Sequence, residues 1–177
     1  MMTRNFSRAE FACKCGCGLA DPHPALVVAV QAIRDDLSLP VTISSGCRCA
    51  EHNARPPSAV NDRGVRGAGG AANSFHMPKA DFDGYCCAAD LQAPVPLARL
   101  LAAAESLDEL ERGGIAAYVR GDTAWLHVDV RGVTGKLQPW EGGNIDGVPH
   151  RIEAVLAVEA GRREARGKET EIGRAHV

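Results

Sequence analysis

Two histidines and an aspartate on three separate segments are the residues of this chain best suited to chemistry. His76 ends residues 73–76, Asn-Ser-Phe-His, and His127 lies within residues 125–130, Trp-Leu-His-Val-Asp-Val. Asp90 stands between them, after two alanines. A catalytic zinc ion takes three protein ligands through nitrogen or oxygen and keeps a fourth position for water. These side chains therefore predict a metal site with Zn²⁺ as the cofactor, and a metal-dependent hydrolase.

The second histidine is predicted to lie on a β-strand that separates a core face from a site face. Residues 126, 128 and 130 are Leu, Val and Val, and they alternate with Trp125, His127 and Asp129. Side chains alternate across a strand, so one face enters the core and the other presents an imidazole and a carboxylate together. The strand is expected to form a hairpin over residues 115–119 and 123–130.

Hydrophobic spacing predicts the elements that support this hairpin. A first helix, capped by Asp21 and stopped by Pro40, has one apolar face at Leu26, Val30, Ile33 and Leu37. Short strands are expected at residues 41–44 and 84–91, and a second helix from Pro96 to Gly113. Residues 54–72 are rich in Gly, Ala, Pro and Arg, which is typical of a long loop of the kind that forms lids or insertions.

The composition is that of one globular domain of 177 residues, with 45% apolar and 24% charged residues. A net charge of −2 gives no basic field, so a nucleic-acid partner is not expected. No apolar run approaches the length of a membrane span, and no signal peptide is expected. The protein is expected to be made in the cytoplasm and to need another route if it acts outside it.

The seven cysteines form three groups, Cys13-x-Cys15-x-Cys17, Cys47-Arg48-Cys49 and Cys86-Cys87. Their odd number leaves at least one thiol unpaired within a monomer. The first group differs from the paired C-x-x-C knuckles of a structural zinc site, so a second metal is only weakly indicated. Disulfides, buried free thiols and a second metal all remain open.

The C-terminal residues 151–177 are expected to form a charged tail behind a domain of residues 1–150. From Glu159 onward no apolar face is evident, which predicts disorder or a frayed helix. The last seven residues resemble translated sequencing-adapter DNA and are excluded from the fold. His176 is therefore not a ligand candidate, and His150 is expected at the surface.

Six segments occur in an order typical of one enzyme family. They are residues 6–17 (FSRAEFACKCGC), 45–48 (SGCR), 51–53 (EHN), 74–76 (SFH), 84–90 (Gly84 and Ala-Ala-Asp90) and 125–132 (WLHVDVRG). Together they resemble the zinc D-Ala-D-Ala carboxypeptidase family of peptidoglycan peptidases, which shares its fold with the hedgehog signalling domain. The resemblance runs from about Phe6 to Trp140 and is closest to the phage and bacterial branch with the cysteine-bearing opening segment.

The resemblance implies an α+β fold, with a small antiparallel sheet and helices packed on one side. It implies His76, Asp90 and His127 as zinc ligands. Arg48 would hold an anionic part of the substrate, such as a peptide carboxylate, because a planar guanidinium fork suits that group. A salt bridge from Arg48 to Glu51 is the alternative for that side chain. Ser74 and Trp125 are expected to border the substrate.

Two departures from the family pattern concern carboxylates. Thirteen residues separate His76 from Asp90, and Asp83 stands at the usual, shorter separation. Asp90 is preferred because its Ala-Ala-Asp-Leu context fits a strand. Residues 77–84 are then expected to be a loop insertion, as are residues 54–73. The position three residues before His127, where many members carry Glu or Asp, is Ala124.

A general base must accept a proton from the attacking water. Asp129 is the first candidate for this base because it projects from the same strand face as His127, and Asp122 in the preceding turn is the second. Asp129 has an alternative role, in which it orients an imidazole.

The expected activity is zinc-dependent hydrolysis of an amide bond in the peptide part of bacterial peptidoglycan. The enzyme would be of the carboxypeptidase or endopeptidase type, such as a phage endolysin acting at the cell wall as a monomer, without membrane insertion. The alternative is a non-catalytic zinc-containing module of the same fold that binds the wall.

Overall fold

The computed structural model describes residues 2–134 and 140–175. Five α-helices lie in these ranges: α1 Pro24–Leu37, α2 Ala50–Ala54, α3 Leu97–Glu105, α4 Asp108–Glu111 and α5 Ile152–Ala175. Six strands accompany them: β1 Thr42–Ser45, β2 Ala88–Gln92, β3 Gly114–Arg120, β4 Thr123–Asp129, β5 Trp140–Ile145 and β6 Val148–His150. Short 3-10 helices occupy Arg8–Phe11, Ala80–Phe82 and Arg131–Thr134.

The strands form one six-stranded sheet in the order β1-β2-β4-β3-β5-β6. Each neighbouring pair is antiparallel except β3 and β5, which run parallel. The expectation of an α+β fold with a small sheet is confirmed, and the predicted hairpin is β3 and β4, joined by Gly121 and Asp122. No helix in the described ranges is both long and apolar enough to cross a membrane.

The first helix packs as its spacing predicts, because Leu26, Val30 and Ile33 are fully buried. Its cap was wrongly predicted. The N-cap residue of α1 is His23, whose Nδ1 accepts a hydrogen bond from the Ala25 amide at 3.2 Å. Asp21 instead pairs with Arg8 in the N-terminal segment, so that segment lies against the start of α1.

The predicted second helix is divided in two. Ser106 ends α3, with its hydroxyl donating to the Ala103 carbonyl at 2.9 Å, and Leu107 is extended before α4 begins. A serine that bonds its own backbone competes with helix continuation. The strand predicted at residues 84–91 begins only at Ala88, after Gly84 in a left-handed turn with φ 81°.

The C-terminal tail has more structure than its composition predicts. Ile152 and Val155, in the first turns of α5, are buried against the sheet, and Leu156 and Val158 pack beside them. The charged tail expected at residues 151–177 therefore begins as a packed helix, because a few apolar residues cover β3 and β5. This helix continues past Glu159, from where disorder or a frayed helix was expected. His150 is exposed, as expected. His176 lies outside the described residues.

Candidate metal centre and cleft

Strand pairing brings two of the predicted metal ligands together. Asp90 on β2 lies directly opposite His127 on β4. Directly opposed residues of antiparallel strands project to the same face with closely spaced side chains. The neighbouring pair, Leu91 and Leu126, is fully buried on the other face, as the alternation along β4 predicts.

The third residue, His76, comes from the turn that precedes the insertion. Its carbonyl accepts from the Arg48 amide at 2.8 Å, and the Phe75 carbonyl accepts from the Cys87 amide at 2.8 Å. The ring nitrogen Nδ1 lies 2.7 Å from the Gly46 carbonyl and donates to it. A carbonyl acceptor bonded to the other ring nitrogen of a ligand histidine fixes both the tautomer and the ring orientation. The lone pair of Nε2 therefore faces the strands.

Three potential ligand atoms converge at the floor of a cleft. Asp90 Oδ1 lies 3.0 Å from His127 Nδ1 and 3.2 Å from His76 Nε2, and the two nitrogens are 3.2 Å apart. Ligand atoms of a tetrahedral zinc ion, each about 2.0–2.2 Å from the metal, stand about 3.3–3.6 Å from one another. The donor set of two imidazoles and one carboxylate, and its spacing, fit zinc with one position left open.

Burial and mutual hydrogen bonds shift the pKa values of all three side chains. Burial alone would lower the pKa of His127, but hydrogen bonds to Asp129 and Asp90 raise it to about 9. Burial lowers the pKa of His76, and the nearby imidazoles hold the pKa of Asp90 well below its usual range despite burial. At neutral pH the extra proton on His127 therefore lies beside two acceptor atoms, Asp90 Oδ1 and His76 Nε2, a place where positive charge is favoured.

The second oxygen of Asp90 is held by Arg48. The guanidinium Nη2 donates to Asp90 Oδ2 at 2.6 Å, and Nε donates to the Ser45 hydroxyl at 2.9 Å. The alternative pairing of Arg48 with Glu51 does not occur, because Glu51 pairs with Arg55 on α2. Arg48 therefore orients the carboxylate while also lining the cleft.

Asp129 lies behind His127 and is fully buried. Its Oδ2 is 3.4 Å from His127 Nε2, on the side of the ring away from the cluster. Arg131 donates to both carboxylate oxygens, from Nε to Oδ1 at 2.8 Å and from Nη2 to Oδ2 at 2.5 Å. The pKa of Asp129 is lowered despite burial, because Arg131 and His127 stabilise its charge.

The cleft above the cluster has a volume of about 650 Å³. Three arginines line it, Arg48, Arg120 and Arg131, and Asp90 is the one carboxylate among its described lining residues. Ser74 and Trp125 are on its wall. Part of the loop predicted at residues 54–72 forms its rim through residues 68–71, and backbone bonds to α2 hold that rim, including Gly70 N to Asn53 O at 2.8 Å.

The two alternative carboxylates lie elsewhere. Asp83 is exposed at the end of the short helix Ala80–Phe82, with φ 53°. Asp122 is in the β3–β4 turn, 84% exposed and paired with Arg166. Asp90, not Asp83, joins the histidines, and neither alternative lines the cleft.

Sequence reasoning missed Tyr118, Arg120 and Arg131 as cleft residues. The Tyr118 ring stacks on Trp125 with centroids 5.2 Å apart, and the Arg120 guanidinium lies 5.9 Å from the Trp125 ring centre. Tyr118 is the cross-strand partner of Trp125 in the hairpin. Counting that register from the turn would have placed Tyr118 beside Trp125.

A sequence model of the peptidase M15 family matches residues 4–129, and the chain belongs to this family. The family is one of zinc peptidases, and His76, Asp90 and His127 form a candidate zinc site within the matched region. Neither the comparison with curated proteins nor that with solved structures gave a significant match.

Proposed function

We propose that this chain hydrolyses an amide bond in the peptide part of bacterial peptidoglycan, with zinc held by His76, Asp90 and His127. The observation that carries the proposal is the convergence of three ligand atoms within 3.2 Å at the floor of an open cleft. A catalytic site needs this openness, whereas a structural zinc site is closed by a fourth protein ligand.

The charge of the cleft supports a substrate with carboxylate groups. Three arginines line the cleft; Arg48 pairs with Asp90 and Arg131 with the buried Asp129, whereas the Arg120 guanidinium lies over the Trp125 ring. Stem peptides of peptidoglycan carry free carboxylates, which guanidinium groups bind by two-point hydrogen bonds. Arg120 is therefore proposed to attract the substrate, and Arg48 to hold its carboxylate beside the cluster.

Bound zinc supplies Lewis acidity, which lowers the pKa of water towards about 7 and polarises a carbonyl. The chain's own residues hold the three ligand side chains in their orientations. Gly46 O and Asp129 orient the two imidazoles, and Arg48 orients Asp90. We propose that Asp129 positions His127 instead of acting as the base, because the carboxylate is buried and bonded on the far side of that ring.

One observation favours a second candidate, a non-catalytic zinc-containing module that binds the wall. Apart from Asp90, no carboxylate is present among the described residues that line the cleft, and Ala124 occupies the family's usual acidic position. A module of this kind would keep the metal and the arginine-lined cleft but would not turn over its ligand.

The test uses the zinc-loaded chain with two substrates, a stem pentapeptide ending in D-Ala-D-Ala and a cross-linked peptide dimer. We expect release of new amino groups that stops with a chelator and returns with zinc. Preference for the first substrate would indicate a carboxypeptidase, and for the second an endopeptidase. Zinc and wall binding without turnover would support the binding module, and no zinc at this cluster would reject both candidates.

Arg48→Lys provides a matched test of substrate binding, because it keeps the positive charge but loses the planar guanidinium group that can donate two parallel hydrogen bonds. We expect KM for a substrate with a free carboxylate to rise by about tenfold or more, since lysine does not replace a bidentate guanidinium. An unchanged KM would contradict the role proposed for Arg48.

A further inference from the structure

Four of the seven cysteines lie together at the N-terminal end of the fold. The sulfur atoms of Cys13 and Cys15 are 3.4 Å apart, and those of Cys15 and Cys49 are 3.7 Å apart. Cys17 completes the group, in which all four sulfur atoms lie within 4.8 Å of one another. We propose that these four side chains, the thiol cluster, bind a second metal ion, zinc, in a tetrathiolate structural site.

The spacing suits a metal better than disulfides. Four sulfurs around a tetrahedral zinc ion, each about 2.3 Å from the metal, stand about 3.8 Å apart. The separations of 3.4 and 3.7 Å are near that value, and both exceed the length of about 2.05 Å of a disulfide bond. Four thiolates complete the coordination of zinc, so the site is closed.

The backbone around the cluster is shaped to direct several sulfurs inward. Gly16 and Gly18 adopt left-handed conformations with φ 80° and 87°, which turn the chain sharply around the C-x-C-x-C run. Two backbone amides donate to sulfur, Cys49 N to Cys13 Sγ at 3.4 Å and His52 N to Cys49 Sγ at 3.4 Å. Such amide-to-sulfur bonds hold the sulfur atoms in place and stabilise the charge of a thiolate ligand.

The loop of residues 54–72 also fastens this segment. Asn61 Nδ2 donates to the Cys15 carbonyl at 3.3 Å, and Arg63 Nη1 donates to the Gly16 carbonyl at 2.8 Å. These contacts hold the backbone of the cysteine run independently of the sulfurs. The cluster is therefore arranged by three segments that are distant in sequence.

The other three cysteines have a different environment. Cys47, Cys86 and Cys87 are buried in the hydrophobic core and lie outside the thiol cluster. Four cysteines that bind a metal and three that pack in the core account for all seven, so no disulfide is needed to explain their number.

The proposed ion would connect the N-terminal segment to the loop that carries Arg48. Cys49 is the next residue after Arg48, and the Cys47 amide donates to the Phe11 carbonyl at 2.8 Å. A Cβ at Gly46 would lie 2.5 Å from that same carbonyl, so the two segments are in close contact. Zinc at the thiol cluster would fix this contact and thereby the backbone that precedes α2.

The test is the zinc content of the full chain, purified under reducing conditions, for the wild type and a set of variants. We expect two zinc ions per wild-type chain, and one in both Cys17→Ala and Cys49→Ala. Cys47→Ala is the matched control, since it removes a cysteine on the other side of Arg48, and it should keep two. His127→Ala should keep the thiolate-bound ion alone.

Cobalt substitution of the wild-type chain gives a second readout that does not depend on any variant folding. Tetrahedral thiolate coordination should produce a strong sulfur-to-cobalt charge-transfer band, which is absent from a site made of imidazole and carboxylate ligands. A wild-type chain without that band, or with a disulfide among Cys13, Cys15, Cys17 and Cys49 in its mass spectrum, would overturn the proposal.

Discussion

The cluster of His76, Asp90 and His127 and the thiol cluster are built in opposite ways. Two of the first cluster's side chains stand on directly opposed strands, where the sheet fixes their separation without any ion. Three of the second cluster's side chains come from a five-residue irregular run, Cys13 to Cys17. The sheet sets the spacing of the first site, whereas the second lies on an irregular run whose backbone is held by loop contacts and whose sulfur atoms the proposed ion would hold together.

The two clusters also differ in what surrounds them. The first cluster opens into an arginine-lined cleft and has carboxylate and carbonyl groups behind its imidazoles. The thiol cluster has backbone amides behind its sulfurs, and its cysteines do not line that cleft. An open site with oriented imidazoles suits turnover, and a closed tetrathiolate suits stability.

The largest effect is expected from loss of a ligand in the open site. His127→Ala should lower kcat/KM for peptidoglycan peptides by at least about ten-thousand-fold, because the metal supplies several kcal/mol of transition-state stabilisation. The assay is amine release. The exposed His150→Ala is the matched control and should keep full activity. Substantial activity in His127→Ala would show that the cluster of His76, Asp90 and His127 is not the catalytic site.

Loss of a ligand in the thiol cluster is expected to act on stability. Cys49→Ala should lower the free energy of unfolding by more than about 4 kcal/mol, which is the range associated with a lost metal site. Denaturant unfolding measures the loss, and hydrogen exchange should locate it in the N-terminal segment and the residues that follow Ser45. A variant as stable as the wild type would mean that no ion supports this segment.

The two sites also differ in how far the sequence predicted them. The β4 alternation placed His127 on a site face from local pattern alone, and strand pairing brought Asp90 opposite to it. The assignment of His76 rested on family resemblance, because nothing local predicts that a turn will be fastened to Gly46. The C-x-C-x-C run could not indicate its fourth partner, since Cys49 is brought there by tertiary contacts.

The same limit applies elsewhere in the chain. Alternation placed Asp129 on the face of His127, but it could not show that Gly114 and Arg131 cover that carboxylate; a Cβ at Gly114 would lie 2.2 Å from Asp129 Oδ2. The start of α5 was missed because its few apolar residues gain significance only against β3 and β5. Local pattern gives the direction of a side chain, and tertiary packing decides its exposure.

Removal of the carboxylate behind His127 should have an intermediate effect. Asp129→Asn keeps the shape but weakens the acceptor for His127 Nε2, and loss of a group that orients a ligand histidine typically lowers metal affinity by about 10–100-fold. Zinc affinity of the open site, measured by competition with a chelator, should fall by that factor, with the thiol cluster unaffected. Unchanged zinc affinity with lost activity would instead identify Asp129 as the base.

The smallest effect is expected at the cleft wall. Trp125 is half-buried, stacked on Tyr118 with an interplanar angle of 5°. An aromatic pair of this kind is worth about 0.5–1.5 kcal/mol beyond its buried area, so Trp125→Ala should raise KM by up to about tenfold. Trp125→Phe, which preserves a ring for the stack, should stay near the wild type. Zinc content should not change in either variant, because the stack contacts the substrate space and not the ligand atoms. A loss of zinc in Trp125→Ala would show that the sheet alone does not preorganise the open site, which is the premise of its contrast with the thiol cluster.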